Sequence, residues 1–198
     1  MVKVIGITGS IAVGKSTVSS YLITHGYQVV DADLISKNAL CKGTSCYKKV
    51  KDIFHCLNED GSIDRKALGN IVFYDPEKKK ILEDIIHPYV VETMKKVINE
   101  CQDKLIFLDV PLLFEAKLEY LCDKIIVVYV DELTQINRLM KRNHIDQEQA
   151  NHLIKQQISI EDKRKMGDYI IDNRQNFEDL YKDIERVLKE IKDEVIYE

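Results

Sequence analysis

Eight residues near the N-terminus, Gly9-Ser10-Ile11-Ala12-Val13-Gly14-Lys15-Ser16, fit the pattern G-x-x-x-x-G-K-[ST]. The spacing has a physical cause. Glycines let the backbone curl until successive N–H groups point at one anion. Lys15 then reaches the outer phosphates of a nucleotide, and the Ser16 hydroxyl is a ligand for Mg²⁺. The helix that must begin here adds its positive end to the same place. The context agrees. Val2 to Thr8 is a continuous β-branched run, as a strand buried on both faces should be. Residues 15–25 read as a helix, with Val18, Tyr21, Leu22 and His25 on one face and Gly26 as its left-handed stop.

The rest of the chain alternates β-rich runs with amphipathic helices, so the expected fold is α/β. Further strands are expected at Tyr27–Val30, Leu105–Leu108, Ile125–Val130 and Tyr169–Ile171. A last helix runs from about Asn176, with Phe177, Leu180, Ile184, Val187, Leu188 and Ile191 at helical spacing. With the first strand this makes a five-stranded parallel sheet covered by helices, a three-layer arrangement.

Two insertions interrupt that frame. Residues 34–103 hold no strand pattern and are too long for a simple connection. Asp64 caps one helix there. Asp75-Pro76 starts another, which His87-Pro88 should end, and a third should cover Tyr89 to Cys101. Residues 138–165 hold seven basic and four acidic residues in a chain with 29 basic and 33 acidic ones overall. Asp146 and Gln149 have the spacing of a capping box. This basic helical pair is expected to stand above the phosphate site. The core is then 1–33, 104–137 and 166–198.

Two sets of carboxylates complete the candidate site. Asp109 ends the third strand, where a carboxylate holds Mg²⁺ directly or through water. Asp31 and Asp33 follow the second strand, and along an extended chain they would point the same way. One of them can accept the proton of an attacking hydroxyl. Asp33, nearer the insertion, is the favoured base.

The net charge of −4 argues against non-specific attachment to nucleic acid or an anionic membrane. No apolar run approaches a membrane span, and no signal peptide is visible. The five cysteines, with no Cys-x-x-Cys, suit free thiols in the cytoplasm.

Several strings coincide with one family. They are Ile5-Gly6-Ile7-Thr8-Gly9 running into Gly14-Lys15-Ser16-Thr17, Asp31-Ala32-Asp33, Gly61-Ser62-Ile63-Asp64-Arg65, His87-Pro88, Asp109-Val110-Pro111-Leu112-Leu113-Phe114-Glu115 and Asp168-Tyr169-Ile170-Ile171-Asp172-Asn173. Over nearly its full length the chain resembles the dephospho-CoA kinases. The resemblance implies a P-loop kinase fold of the nucleoside-monophosphate-kinase kind, with a helical CoA-binding insertion and a lid. It implies transfer of the γ-phosphate of ATP, with Mg²⁺, to the ribose 3′-hydroxyl of dephospho-CoA. The expected state is a monomer or small homo-oligomer, and the two insertions flanking one phosphate loop are expected to close over the ligands, because a phosphoryl donor must be shielded from water. Carried over, Lys15, Asp33 and Arg142 act on the transferring phosphoryl group. Gly9 and Ala12, Val13, Gly14, Lys15, Ser16 and Thr17 wrap ATP, with Asn173 on the nucleotide side. Ser16 and Asp109 hold the metal. Arg65, His87, Tyr89, Leu112 and Phe114, with Asp33, face the acceptor.

The chain departs from the family pattern at Ser10, Ala12 and Val13, where Gly, Gly and Ser are common. Lys37 and Leu153 stand where arginines are frequent, and Gln175 where glycine is. At Ala12 a positive φ would be strained. The alternatives are another small-molecule kinase on the same fold, or an ATP- or CoA-sensing module without turnover. A GTPase fits less well, since no N-K-x-D string occurs.

Overall fold

The computed structural model describes residues 2–197. Five strands, β1 (Lys3–Thr8), β2 (Gln28–Asp31), β3 (Leu105–Asp109), β4 (Lys124–Tyr129) and β5 (Tyr169–Asp172), make one parallel sheet in the order β2-β3-β1-β4-β5. The helices are α1 (Lys15–Thr24), α2 (Ala32–Ala39), α3 (Ser45–Phe54), α4 (Arg65–Tyr74), α5 (Pro76–Glu100), α6 (Glu132–Asn143), α7 (Gln147–Ile154), α8 (Ile160–Met166) and α9 (Phe177–Tyr197). Contacts group the described residues into two compact units. One is Asp31–Glu100 and the other is the rest.

In the sheet-bearing unit, the central strands are apolar on both faces, and Ile5, Ile7, Phe107, Leu108 and Val127 have no exposed surface. Such runs must be covered on both sides. α1 packs on β1, α8 on β4 and α9 on β5. In α9, Leu180, Ile184, Val187, Leu188 and Ile191 are buried as their spacing requires. Phe177, expected on that face, begins the helix and is instead 67% exposed, with its ring beside Tyr181. Likewise Val18 and Leu22 of α1 are buried, but His25 is exposed and stacks on Tyr21. α1 ends in a Schellman motif. Gly26 takes φ +84°, its N–H donates to Ile23 O, and the N–H of Tyr27 donates to Leu22 O.

Register decides what meets at the top of the sheet. Ile7 of β1 lies level with Asp109 of β3, and Thr8 level with Val127 of β4. The loop after Thr8 therefore opens beside Asp109. Residues 138–165 belong to this unit, and α6 crosses position 138 without a break. The capping box at Asp146 and Gln149 is formed.

The helical unit has its own core of Val50, Phe54, Cys56, Ile63 and Leu68. Asp64 accepts from the N–H groups of Lys66 and Ala67 at the start of α4. Asp75 accepts from Glu77 and Lys78 ahead of α5. The expected break at His87-Pro88 does not occur. α5 runs 25 residues through Pro88, so no separate third helix starts at Tyr89. Packing overrides the local preference. Val90 and Met94 are buried beyond the proline, and Leu82 and Ile85 pack before it. Asp84, whose carbonyl loses its partner, is exposed, as are His87 and Pro88. The missing hydrogen bond thus falls on the solvent side.

The expectation that Asp31 and Asp33 share one side of an extended chain is also corrected. Asp31 caps α2, accepting from the N–H of Leu34 at 2.9 Å. Asp33 is already in the first helical turn. Helical residues two apart do not face each other, so the two carboxylates have separate roles. Among the described residues no helix is long and apolar enough to cross a membrane. The five cysteines are free thiols.

Candidate active site

The phosphate loop joins β1 to α1. Its shape is fixed by close approach and by unusual backbone angles. A Cβ on Gly9 would lie 2.7 Å from Val13 Cγ2 and 2.9 Å from Val128 O. Gly14 has φ +87°, and a Cβ there would lie 2.2 Å from Asn173 Nδ2. Both positions require glycine. Ala12 also lies in the left-handed region, at φ +64°. The loop therefore keeps a glycine-like bend without the glycine. The cost is on the order of 1 kcal/mol.

Side chains tie the loop's carbonyls from behind. Gln135 Nε2 donates to Ile11 O at 2.8 Å. Asn173 Nδ2 donates to Val13 O at 2.8 Å, and Arg138 Nη2 in turn donates to Asn173 O at 2.9 Å. The N–H of Ile11 donates to Gln157 Oε1 at 2.9 Å, and Ser10 Oγ donates to Ile158 O at 3.2 Å. With carbonyls and flanking groups engaged, the loop is preorganised, which is the costly part of binding an anion. Asn173, expected on the nucleotide side, thus braces the loop in this structure. No local sequence pattern marks Gln135, Arg138 and Gln157 for these roles.

Lys15 is mostly buried and ion-paired with Asp109 Oδ1. The other carboxylate oxygen accepts from Ser19 Oγ at 2.5 Å. Ser19 is four residues beyond Lys15, so both project from one face of α1. A serine on the buried face of α1, one turn after the lysine, was the signal that could have found it. Ser16 is exposed in the first turn, and the N–H of Thr17 donates to Gly14 O at 3.0 Å. Ser16 Oγ and the Asp109 carboxylate are hard oxygen donors, the kind Mg²⁺ takes alongside phosphate and water. This donor set fits the ion.

The remaining candidates are distributed over both units. Arg142, in the last turn of α6, donates from Nε to Asn143 Oδ1 at 3.0 Å and is exposed. Leu112, in the turns after β3, is 44% exposed, whereas Phe114 is buried. In the helical unit Asp33 and His87 are exposed and Tyr89 half-buried. Arg65 donates from Nη2 to Lys37 O at 2.8 Å.

One basic residue counted with the lid is not a surface cation. Lys163 of α8 has no exposed surface. Its Nζ is 2.8 Å from Glu115 Oε1 and donates to Gly9 O at 3.3 Å and Pro111 O at 3.2 Å. Burial pushes its pKa down, opposed by Glu115. Charge counting cannot distinguish such a lysine from a solvated one.

Comparison with known proteins bears on the same residues. The sequence pattern of the family described as dephospho-CoA kinase matches residues 3–179. A dephospho-CoA kinase of Staphylococcus saprophyticus is 43% identical over 194 residues, covering 96% of this chain and 94% of that protein. One from Fusobacterium nucleatum is 43% identical over 192 residues, covering 96% and 99%. Among solved structures, the dephospho-CoA kinase of Campylobacter jejuni superposes with a TM-score of 0.73 at 35% identity, covering 96% of this chain and 98% of that one. A shikimate kinase from Acinetobacter baumannii, at 14% identity and a TM-score of 0.54, shares the fold alone. The chain belongs to the dephospho-CoA kinase family.

Proposed function

We propose that this protein transfers the γ-phosphoryl group of ATP to the ribose 3′-hydroxyl of dephospho-CoA, giving CoA and ADP, the last step of CoA synthesis. The observation that carries the reading is the braced phosphate loop with Lys15 and Asp109 in contact beneath it, in a chain of this family.

Phosphoryl transfer needs positioning and charge neutralisation more than covalent help. The loop from Ala12 to Thr17 wraps the phosphates, and Lys15 neutralises their outer oxygens. Ser16 and Asp109 would hold Mg²⁺, which when bound supplies further neutralisation of the β- and γ-phosphates. Asp33 orients the acceptor hydroxyl and takes its proton. Arg142 faces the charge that develops on the transferring group. Arg65, His87, Tyr89 and Leu112 contact the acceptor, and Phe114, being buried, holds the turn that presents Leu112. Asn173 acts by fixing the loop.

An acceptor panel tests the reading. ADP release is followed with dephospho-CoA, shikimate, gluconate and AMP, for the wild type and Asp33→Asn. The expected result is turnover with dephospho-CoA alone, reduced about 10²-fold or more in Asp33→Asn with ATP binding retained. Equal turnover with another acceptor would reject the substrate, and unchanged turnover in Asp33→Asn would reject the base.

A further inference from the structure

Two loops carry the phosphate-handling groups. The loop after β1 leads into Lys15, and the turn after β3 follows Asp109 directly. Gly9 is the first residue after β1 and Pro111 the second after β3, and neither carbonyl takes part in the sheet pairing given for its strand. Lys163, entering from α8, donates to both of these carbonyls and ion-pairs with Glu115. An ammonium has three N–H donors, and here three acceptors surround it. Pro111 O also accepts from Thr8 Oγ1 at 3.1 Å, so β1 is tied to the same turn a second time.

Glu115 extends the brace. Its Oε1 accepts from the N–H of Ile158 at 3.0 Å, while Ile158 O receives Ser10 Oγ and the neighbouring Gln157 receives the Ile11 N–H. The segment before α8 is therefore fastened to the phosphate loop at Gln157 and Ile158, and Lys163 adds a further tie at Gly9. The pair is not arranged for stability alone. Glu115 Oε2 is buried without a hydrogen-bond partner, and a buried ion pair with an unsatisfied oxygen is usually no better than a packed apolar pair.

We propose that Lys163 is a positioning residue for phosphoryl transfer. Its ammonium sets the spacing between the loop that precedes Lys15 and the turn that follows Asp109, and Glu115 is its neutralising partner. The inference rests on the phosphoryl-transfer reading above. It predicts that removing the Lys163–Glu115 pair as a whole costs the rate of transfer more than it costs stability.

The test is a double-mutant cycle with Lys163→Met, Glu115→Leu and the two combined, measured for melting temperature and for steady-state kinetics. Each single variant leaves one charge buried and unpaired, and is expected to melt well below the wild type. The combined variant has no charge left there, and should recover most of the lost melting temperature. The account requires its kcat to remain about tenfold or more below the wild type, with KM for dephospho-CoA within about twofold, because the tie between Gly9 and Pro111 is still missing. A combined variant with recovered stability and wild-type kcat would overturn the inference and leave the pair a packing feature. If the singles fail to fold, the combined variant alone decides between these outcomes. Wild-type protein run alongside separates the two claims, since a wild type that fails to phosphorylate dephospho-CoA rejects the functional reading itself.

Discussion

The Lys15 ammonium is ion-paired with Asp109, and the second oxygen of that carboxylate accepts the Ser19 hydroxyl at 2.5 Å. Two groups assigned to phosphate and to metal are thus held together by one another. Nucleotide must draw Lys15 away from a carboxylate before the lysine can serve a phosphate. In Asp109→Asn that competition weakens, so ATP without Mg²⁺ should bind more tightly, by about three- to tenfold for roughly 1 kcal/mol of released attraction. Turnover with Mg²⁺ should fall about 10²-fold. Calorimetric titration with and without Mg²⁺ checks both. Metal-free ATP affinity that drops in Asp109→Asn would mean that the pair supports binding.

Gly14 and Ala12 have opposite stories at similar backbone angles. A Cβ on Gly14 would strike Asn173 Nδ2 at 2.2 Å and displace the amide that holds Val13 O. Gly14→Ala should weaken ATP binding by about tenfold or more and lower the melting temperature. Ala12 already bears a Cβ in the left-handed region. Ala12→Gly should raise stability in urea by up to about 1 kcal/mol. A fall in the urea midpoint for Ala12→Gly would show that the loop gains more from alanine packing than it loses in strain.

These loop features show what the sequence made legible. The motif placed Gly14 and Lys15, and the strand pattern placed Asp109 at a strand end, since both depend on local patterns; the register that sets Asp109 level with Ile7 came from the fold. The departure at Ala12 from a family glycine was visible, but the sign of its φ was open until the fold fixed it at +64°. The braces were not legible. Gln135, Gln157, Lys163 and Glu115 lie 43 to 154 positions from the atoms they hold, and only the folded chain brings them there. Pro88 misled for a related reason. The rule that proline ends helices is local, whereas burial of Val90 and Met94 is a tertiary effect.

Pro88 leaves the carbonyl of residue 84 without its helical donor on an exposed face. Pro88→Ala restores that N–H and improves helix propensity, so the helical unit should gain about 1 kcal/mol or more. Hydrogen exchange across α5 reads this directly, with slower exchange expected on either side of position 88. Faster exchange would mean that the proline stabilises the native unit by restricting the unfolded chain.

Asp172 ends β5, and its carboxyl is held below the usual carboxylate range, first by hydrogen bonds from Arg174. The resulting stability is present above about pH 4, the ordinary carboxylate value. It is lost as pH falls through the lower folded value. Arg174→Met should raise the Asp172 pKa toward the ordinary range. It should destabilise the protein near neutral pH, with the difference vanishing in acid. Carboxyl titration by NMR with urea unfolding at several pH values checks it, and a stability loss independent of pH would assign Arg174 a packing role over Tyr129 instead.

The central claim is that the braced loop and Lys15 deliver a phosphoryl group to dephospho-CoA. Wild type and Lys15→Ala are each incubated with Mg-ATP and dephospho-CoA, and the acceptor is followed by mass spectrometry with fragmentation to locate the new group. The account predicts one added phosphate on the ribose 3′-oxygen with the wild type and essentially none with Lys15→Ala. An unmodified acceptor in the presence of wild-type protein that binds ATP, or equal modification by Lys15→Ala, would contradict it.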